Sequence, residues 1–571
     1  MAVAAPAQLL LLRFEPMTRR STPHGMRSGV PRQNFQVGLS SDSKGAPGEA
    51  DAGCGRGRLG LGGGGGGKYE IYITMQPILP SSADKRKGLS CQHQDGHHGD
   101  SDSQVADRRC SIPALPEDIL HLIHSLLPLR DAARAACSSR AFLGSWRCHP
   151  VLALTGYHLG LGLRKNIRVP RKNFTHIIDN ILRKHSGVGI KILELQISGI
   201  FYTRDYLDSW LQIAVRPGIE GLTLGLCDED ETKYDVPCTL LSAGVRNSIR
   251  NLQLSYCAFH PTAAELGPLR NLTSLALSHV SISGDELECF LSNSPALKQL
   301  HLHDCQDIVC LKIPCLMLQL LCLKVDYCLN LRAIESKARN LSSFFLSYGK
   351  MVKVSLGETL QMKKLVMQRS NSNLIRYARC ELPSSMPNLE SLSICSSHER
   401  VNTPMLPTKF MFLKWLFISL PSTSSSYNHF SLAYFLDASP SLETWLLNVT
   451  GEHASIFKGS SLLRQLPEQH HARLKSFKIQ GFNSSRGLVE LTCYVLKNAQ
   501  SLDCLTLDTT NGFLKCDCDM SSGLPAPLIK RYLMKARRGA TAIRTYIEDK
   551  IPPTVKLAVV EPCNQCHAEI V

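Results

Sequence analysis

The stretch LKQLHLHDC from Leu297 is followed 23 residues later by LLCLKVDYC from Leu320, and the two share one frame. Apolar residues hold positions one, four and six, and cysteine holds position nine. Alternation at four and six is the two-residue period of an extended strand with one buried face. The frame, strict or relaxed, recurs from Ile190, Ile219, Ile249, Leu272, Leu297, Leu320, Leu341, Met362, Leu389, Leu413, Leu442, Leu474 and Leu502, thirteen units at intervals of 21 to 32 residues. One such unit leaves its apolar side bare, so the units must stack on one another to form a core.

Those intervals straddle the period of leucine-rich repeats. The expected fold is therefore α/β: a solenoid over 190–510, with a curved parallel sheet on the concave side and helices and loops of varied length on the convex side. Positions one, four and six point into the stack, while three, five, seven and eight face the concavity and are free to vary. Gln299, His301, His303, Asp304, Lys324, Asp326, Tyr327, Phe345 and Tyr348 occupy such variable positions. Aromatic, imidazole and mixed-charge side chains suit a protein partner better than a phosphate backbone, because interface anchors are aromatic or Arg within a polar rim. The plainer alternative for each is ordinary solvent-facing strand surface, and a zinc or catalytic role for His301 and His303 needs further ligands. Cys227, Cys257, Cys305 and Cys328 fall at position nine, where a small residue closes the turn, which makes their role structural.

Composition sets the outer bounds. Of 571 residues, 43% are hydrophobic and 20% charged, the balance of a globular chain. The net charge is +16, but the first 110 residues hold 14 Lys and Arg against 10 Asp and Glu, so most of the excess is spread along the remainder. Diffuse charge argues weakly for nucleic acid. Twenty-two scattered cysteines in so long a chain fit a reducing compartment better than a disulfide framework. QLLLLRF near the start is too short for a signal core, and no apolar run reaches bilayer length, so nucleus or cytoplasm is expected and organelle transit is not. Residues 1–110 mix Gly, Ser, Pro, Arg and His without apolar periodicity and are expected to form a disordered tail. Its GGGGGGK has phosphate-loop spacing, yet Tyr69 stands where a Ser or Thr hydroxyl is needed.

Ahead of the repeats, LPEDILHLIHSLLPLRDAARAACSSRAFLGSW runs from Leu115 to Trp146 with helical spacing. Pro116 suits a first helical turn, Glu117 and Asp118 suit its positive dipole end, and Pro128 stops the helix. Small Ala132, Ala133, Ala135 and Ala136 permit close approach in a second helix, and Phe142 and Trp146 ride a third. Three helices this short bury too little surface to stand alone, so a partner is expected. L-P-x-D-I-L, S-L-L-P-L-R-D-A, S-R-A-F and the closing Trp resemble the F-box of plant F-box proteins over 111–150. That resemblance implies docking on a Skp1-type adaptor and through it a cullin, with Leu115, Pro116, Ile119, Leu120, Ile123, Leu126, Pro128, Ala132, Cys137, Phe142 and Trp146 supplying the contacts and the packing behind them. Phe142 stands where many members of that family carry Trp.

Linker helices are expected over 151–189. The C-terminal segment around LVELTCYVLKNAQSLDCLTLDTT, followed by a helix-like run from Leu528, resembles the end of plant F-box proteins with leucine-rich repeats and an FBD-type tail. A cap of helix and strand over 511–571 follows from that. Cys516, Cys518, Cys563, Cys566 and His567 carry a donor set that a tetrahedral zinc could use if they met. Free thiols are the plainer reading, and no metal or cofactor is expected. Taken together, the resemblances imply a non-catalytic substrate-recognition subunit of an SCF-type ubiquitin ligase that takes a protein substrate, with no membrane role. A Skp1-binding scaffold without a ubiquitination role, or a basic nucleic-acid-binding repeat protein, stands as the alternative.

Overall fold

The computed structural model describes residues 33–39 and 71–77 and most of 116–562, with its longest breaks there at 160–170, 400–407 and 511–525. Gln33–Leu39 and Ile71–Pro77 pair antiparallel through seven residues each, where the sequence reading expected no regular structure. Ile71, Ile73 and Met75 alternate along the second of these, the pattern of a strand. The rest of 1–110 lies outside the described residues. Among the described residues, no helix is long and apolar enough to cross a membrane.

From residue 116 onward the chain begins with three helices, α1 (Glu117–Ser125), α2 (Leu129–Ser138) and α3 (Arg140–Arg147). Behind them lies one fifteen-stranded sheet whose strand order follows the chain from Val151–Thr155 to Lys556–Val560. Every neighbouring pair in it is parallel. Each of the thirteen units read from the sequence contributes one strand, beginning at its third residue. The sheet also extends past both ends of that region. Val151–Thr155 is its first strand, where linker helices were expected, although α4 (Arg171–Lys184) does follow. The reason it escaped notice is spacing: the buried Leu152 and Leu154 stand 41 residues before Leu193 and Leu195, well outside the period of the other units. At the far end, the helix Ala526–Tyr546 is followed by Lys556–Val560, which joins the same sheet beside Cys504–Asp508.

The core is the stack of positions one, four and six. In the unit at Leu297, residues Leu297, Leu300 and Leu302 are buried, and Leu320, Leu323 and Val325 repeat the arrangement in the next. Interval length decides what fills the convex side. The 29-residue interval after Ile190 holds α5 (Arg204–Ala214) and the 28-residue interval after Leu474 holds Arg486–Asn498. Intervals of 21 to 23 residues between Leu297 and Met362 leave too little chain for a helix. Short strands Cys310–Ile313, Ala333–Ser336 and Lys353–Ser355 return there instead and form a three-stranded parallel sheet of their own.

This arrangement separates two classes of substitution. Leu323 is fully buried, so Leu323→Ala is expected to cost ~2–5 kcal/mol through lost transfer energy and a cavity. Its neighbour Lys324 faces the concavity, and Lys324→Ala should change stability by less than ~0.5 kcal/mol. Urea titration followed by circular dichroism measures both; equal losses would contradict the inward and outward assignment.

Candidate functional site

Two surfaces emerge, one on the helical cluster and one on the concave sheet. In the cluster, Leu129, Ala132 and Ala136 turn inward, and α2 packs on the Val151–Thr155 strand. Histidines complete the packing. His124 is buried, its Nε2–H donates to the Ala132 carbonyl at 2.8 Å, and its ring lies 5.4 Å from that of Phe142. The His149 ring is 5.9 Å from that of His124, and His185 Nε2–H donates to the His149 carbonyl at 3.0 Å. Burial lowers the pKa of both His149 and His185, which favours their neutral forms at the joint between helices and sheet.

The exposed side of the cluster carries apolar side chains among its charged ones. Leu126 is 57% exposed, Leu122 40% and Leu143 39%, and Pro116, Pro128 and Cys137 are exposed as well. Ile119, Leu120, Ile123, Phe142 and Trp146 are partly covered, and Trp146 leans on the main core. Of the residues that the resemblance implicated, Ala132 alone is fully inside, where it serves packing and not contact. Leu115 lies outside the described residues. Sequence reasoning passed over Leu122, Leu143, His124 and His149. Leu122 sits three residues after Ile119 and four before Leu126, a helical spacing that could have revealed it.

On the concave side, strand register brings His301, Lys324 and Phe345 into one row and His303, Asp326 and Ser347 into another. Gln299 is exposed at the entrance to the same face. Lys364, which the sequence reading did not single out, places Nζ 5.2 Å from the Phe345 ring centre. The backbone of Tyr348 lies in the strand Ser343–Gly349, where the register shifts, and its side chain is outside what is described.

One step further along each strand, four successive repeats place a non-glycine residue in the left-handed region: Tyr256, His279, Asp304 and Tyr327, with φ between 50° and 57°. That conformation is uncommon for residues other than glycine and costs of order 1–3 kcal/mol. It is held by the stack, because each N–H donates to the carbonyl at position seven of the next repeat: Tyr256 to Ser278 at 2.9 Å, His279 to His303 at 2.8 Å, Asp304 to Asp326 at 2.9 Å and Tyr327 to Ser347 at 3.2 Å. The rings of Tyr256, His279 and Tyr327, with that of His303 at position seven, form a ladder. Tyr256 stacks on His279 with centroids 4.2 Å apart, His279 meets His303 edge-on at 5.4 Å, and His303 meets Tyr327 at 5.4 Å. Carboxylates lock the imidazoles, with His279 Nδ1 3.0 Å from Asp304 Oδ2 and His303 Nδ1 3.4 Å from Asp326 Oδ2. Burial alone would raise the Asp326 pKa, but hydrogen bonds from His303 and Ser347 hold it below the ordinary value.

Beneath this ladder, Cys257, Cys305 and Cys328 are buried free thiols, as position nine implied; Cys227 is outside the described residues. Burial pushes the Cys257 thiol up to about 12, so it is protonated and unreactive at neutral pH. Cys516, Cys518, Cys563, Cys566 and His567 all lie outside the described residues. Among the described residues, no group of three or more His, Cys, Asp or Glu side chains could hold a metal ion.

His301 gives the concave face a pH signature. Burial, then the nearby Lys324 and His303, lower its pKa to about 4, below the ~6.5 of an unfolded histidine. The unfolded chain thus binds the extra proton first, so stability is full above about pH 6.5 and falls as pH drops toward 4. His301→Gln should reduce the dependence of melting temperature on pH across that window, leaving the share that His149 and His185 contribute. An unchanged slope would show that His301 stays solvated.

Comparison with known proteins adds the following. A family model described as "At1g61320/AtMIF1, LRR domain" matches residues 181–564. The putative F-box protein At1g49610 of Arabidopsis thaliana is 27% identical over 205 residues, covering 36% of this chain and 46% of that protein. The F-box/LRR-repeat protein At3g03360 of the same plant is 29% identical over 205 residues, covering 34% and 39%. A third, F-box/LRR-repeat protein At5g02910, is 24% identical over 202 residues, covering 35% and 40%. The matched region thus spans less than half the length of these curated relatives.

Proposed function

The chain belongs to the leucine-rich-repeat family described by At1g61320/AtMIF1, and from that premise we propose that it is the substrate-recognition subunit of an SCF-type ubiquitin ligase. On this reading the outer face of α1 to α3 binds a Skp1-type adaptor, and through it a cullin. The concave sheet holds a protein substrate. Binding both raises the local concentration of substrate lysines beside the ubiquitin-charged partner, so the chain needs no catalytic group of its own. Its place of action is then the nucleus or the cytoplasm.

One observation carries the reading: an exposed apolar surface on a cluster of three short helices that are closed on their inner side against the sheet. Leu122, Leu126 and Leu143 leave between 39% and 57% of their surface exposed, and exposed apolar patches on small helical units mark protein contacts. Names carried by the relatives point the same way, since two are F-box/LRR-repeat proteins and one a putative F-box protein. Phe345, Tyr327 and Lys324 supply the aromatic and cationic anchors for the cargo, and their rigid strands hold them in place.

The test uses the full chain and purified Skp1-type adaptor. Wild-type protein should bind it, and Leu126→Asp combined with Leu143→Asp should weaken binding at least about thirtyfold, the effect of losing ~2 kcal/mol at an anchor. Phe345→Ala and Tyr327→Ala should leave adaptor capture intact and diminish recovery of substrate trapped under proteasome blockade. Failure of the wild-type chain to bind any Skp1-type adaptor would end the proposal.

A further inference from the structure

The rim of the solenoid that leads into the strands carries apolar side chains the core does not require. In the turn before Cys322–Asp326, Met317 and Leu320 fill the core and are fully buried, yet Leu316 and Leu318 beside them face solvent. Leu360 does the same before Lys364–Arg369, as do Met411 and Phe412 before Trp415–Leu420. These five are between 53% and 61% exposed. A serine or glutamine at each would hold the same backbone, so packing does not account for them.

Three of the five are structural equivalents, identified by one recurring hydrogen bond. The Leu318 carbonyl accepts from Asn340 Nδ2 at 2.8 Å, that of Leu360 from Asn388 Nδ2 at 2.9 Å, and that of Met411 from Ser441 Oγ at 2.7 Å. In the sheet order, two strand steps separate Leu318 from Leu360, and two more separate Leu360 from Met411. With strands ~4.8 Å apart, apolar knobs recur about every 10 Å along roughly 19 Å of rim. An α-helix rises 1.5 Å per residue, so its residues i, i+7 and i+14 recur about every 10.5 Å on one face. The two spacings match.

Charge narrows the choice further. Lys298, Arg339, Lys363 and Lys414 lie along the same rim, and an acid between them, Glu390, is shared by Lys363 at 3.2 Å and Lys414 at 3.6 Å. Lys298 and Arg339 are exposed and, among the described residues, in no ion pair. We infer that this rim docks an amphipathic helix of a partner protein, with an apolar residue at every seventh position seated on Leu318, Leu360 and Met411 and acidic residues flanking it toward the lysines. The surface is separate from the adaptor face and from the concave floor, and the inference does not rest on the proposed function.

A fluorescein-labelled peptide of about 18 residues, ~27 Å long as a helix, serves as the probe, with leucines at i, i+7 and i+14 and glutamates beside them. Fluorescence anisotropy with the full-length chain should show binding, reduced at least about tenfold by the triple variant L318S/L360S/M411S and as much when lysines replace the peptide glutamates. Because all three side chains are exposed, the variant should keep the wild-type melting temperature; a lowered one would show that the stripe serves the fold and overturn the inference. Equal binding by wild type and variant would also overturn it. So would a reversible dimer, seen by sedimentation and abolished in the variant, since a second copy would then own the stripe. Cosedimentation with phosphatidylserine vesicles that the variant loses would overturn it in favour of a membrane surface.

Discussion

The solenoid depends on the parallel register of its stacked strands. Leu222, Leu252, Leu275, Leu300 and Leu323 lie in one row across five strands, and Leu224, Leu254, Leu277, Leu302 and Val325 in the next but one. No unit can bury its leucines without a neighbour at the same height, so a slip of one residue in any strand would turn its apolar set toward solvent. Register therefore has a steep energetic guard, and it transmits alignment to every other position in the unit for free. Side chains that happen to share a position become rows: the thiols at position nine, the left-handed residues at position eight, the charges at position two. In that last row, Glu220 stands between Lys191 and Arg250, and Glu390 between Lys363 and Lys414. Pairs this exposed add little stability. Alternation of sign matters more for what it avoids, since like charges directly opposed in adjacent strands repel.

The same register explains how the concave rim tolerates left-handed residues. An isolated Tyr256 or Tyr327 would leave that conformation, but each is held by an N–H bond into the next strand and by a ring or imidazole on its side chain. Strain is local and restraint is collective. A consequence is that the ladder from Tyr256 to Tyr327 presents fixed geometry: its rings are positioned by backbone that cannot relax without breaking several strand contacts. Recognition by such a surface loses little side-chain entropy on binding, which is the advantage of preorganised anchors.

Much of this was legible in the chain because the leucine period encodes it. Thirteen strands were readable from their frames, as were the inward leucines and the structural cysteines. What escaped falls where the physics is not periodic. Val151–Thr155 has the right alternation, but no second unit at a normal interval announces it. The His124, His149 and His185 joint depends on three residues far apart in sequence meeting at one seam, which no local pattern reports. Arg379 shows the limit most sharply. It and Arg376 sit in the same short helix, Leu374–Cys380, yet Arg376 is exposed while Arg379 is buried, its guanidinium donating to the Ser431 carbonyl at 2.7 Å and lying over the Phe435 ring. Only the convex element that covers it makes the two different. At the concave site, residue type and position were readable, but the row of rings was not, because left-handed φ at position eight has no signature in Tyr, His or Asp.

Absence of a linker between the helical cluster and the sheet has a mechanical meaning. The strand that α2 packs on is the first strand of the solenoid, so no hinge intervenes. The seam is further pinned by Ser186, whose N–H and hydroxyl both donate to the Arg147 carbonyl at 2.8 Å. From that first strand to the strand that holds His301 there are five strand steps, or ~24 Å. A flexible joint over that distance would spread a bound cargo through a wide volume and lower its effective concentration at any fixed point. A stiff one fixes both distance and direction. Burial that disfavours the charged forms of His149 and His185 serves that stiffness, since a charged group there would draw in water and loosen the packing. Whatever the outer helices hold and whatever the concave rings hold are therefore kept in one geometry by the same stack that buries the leucines.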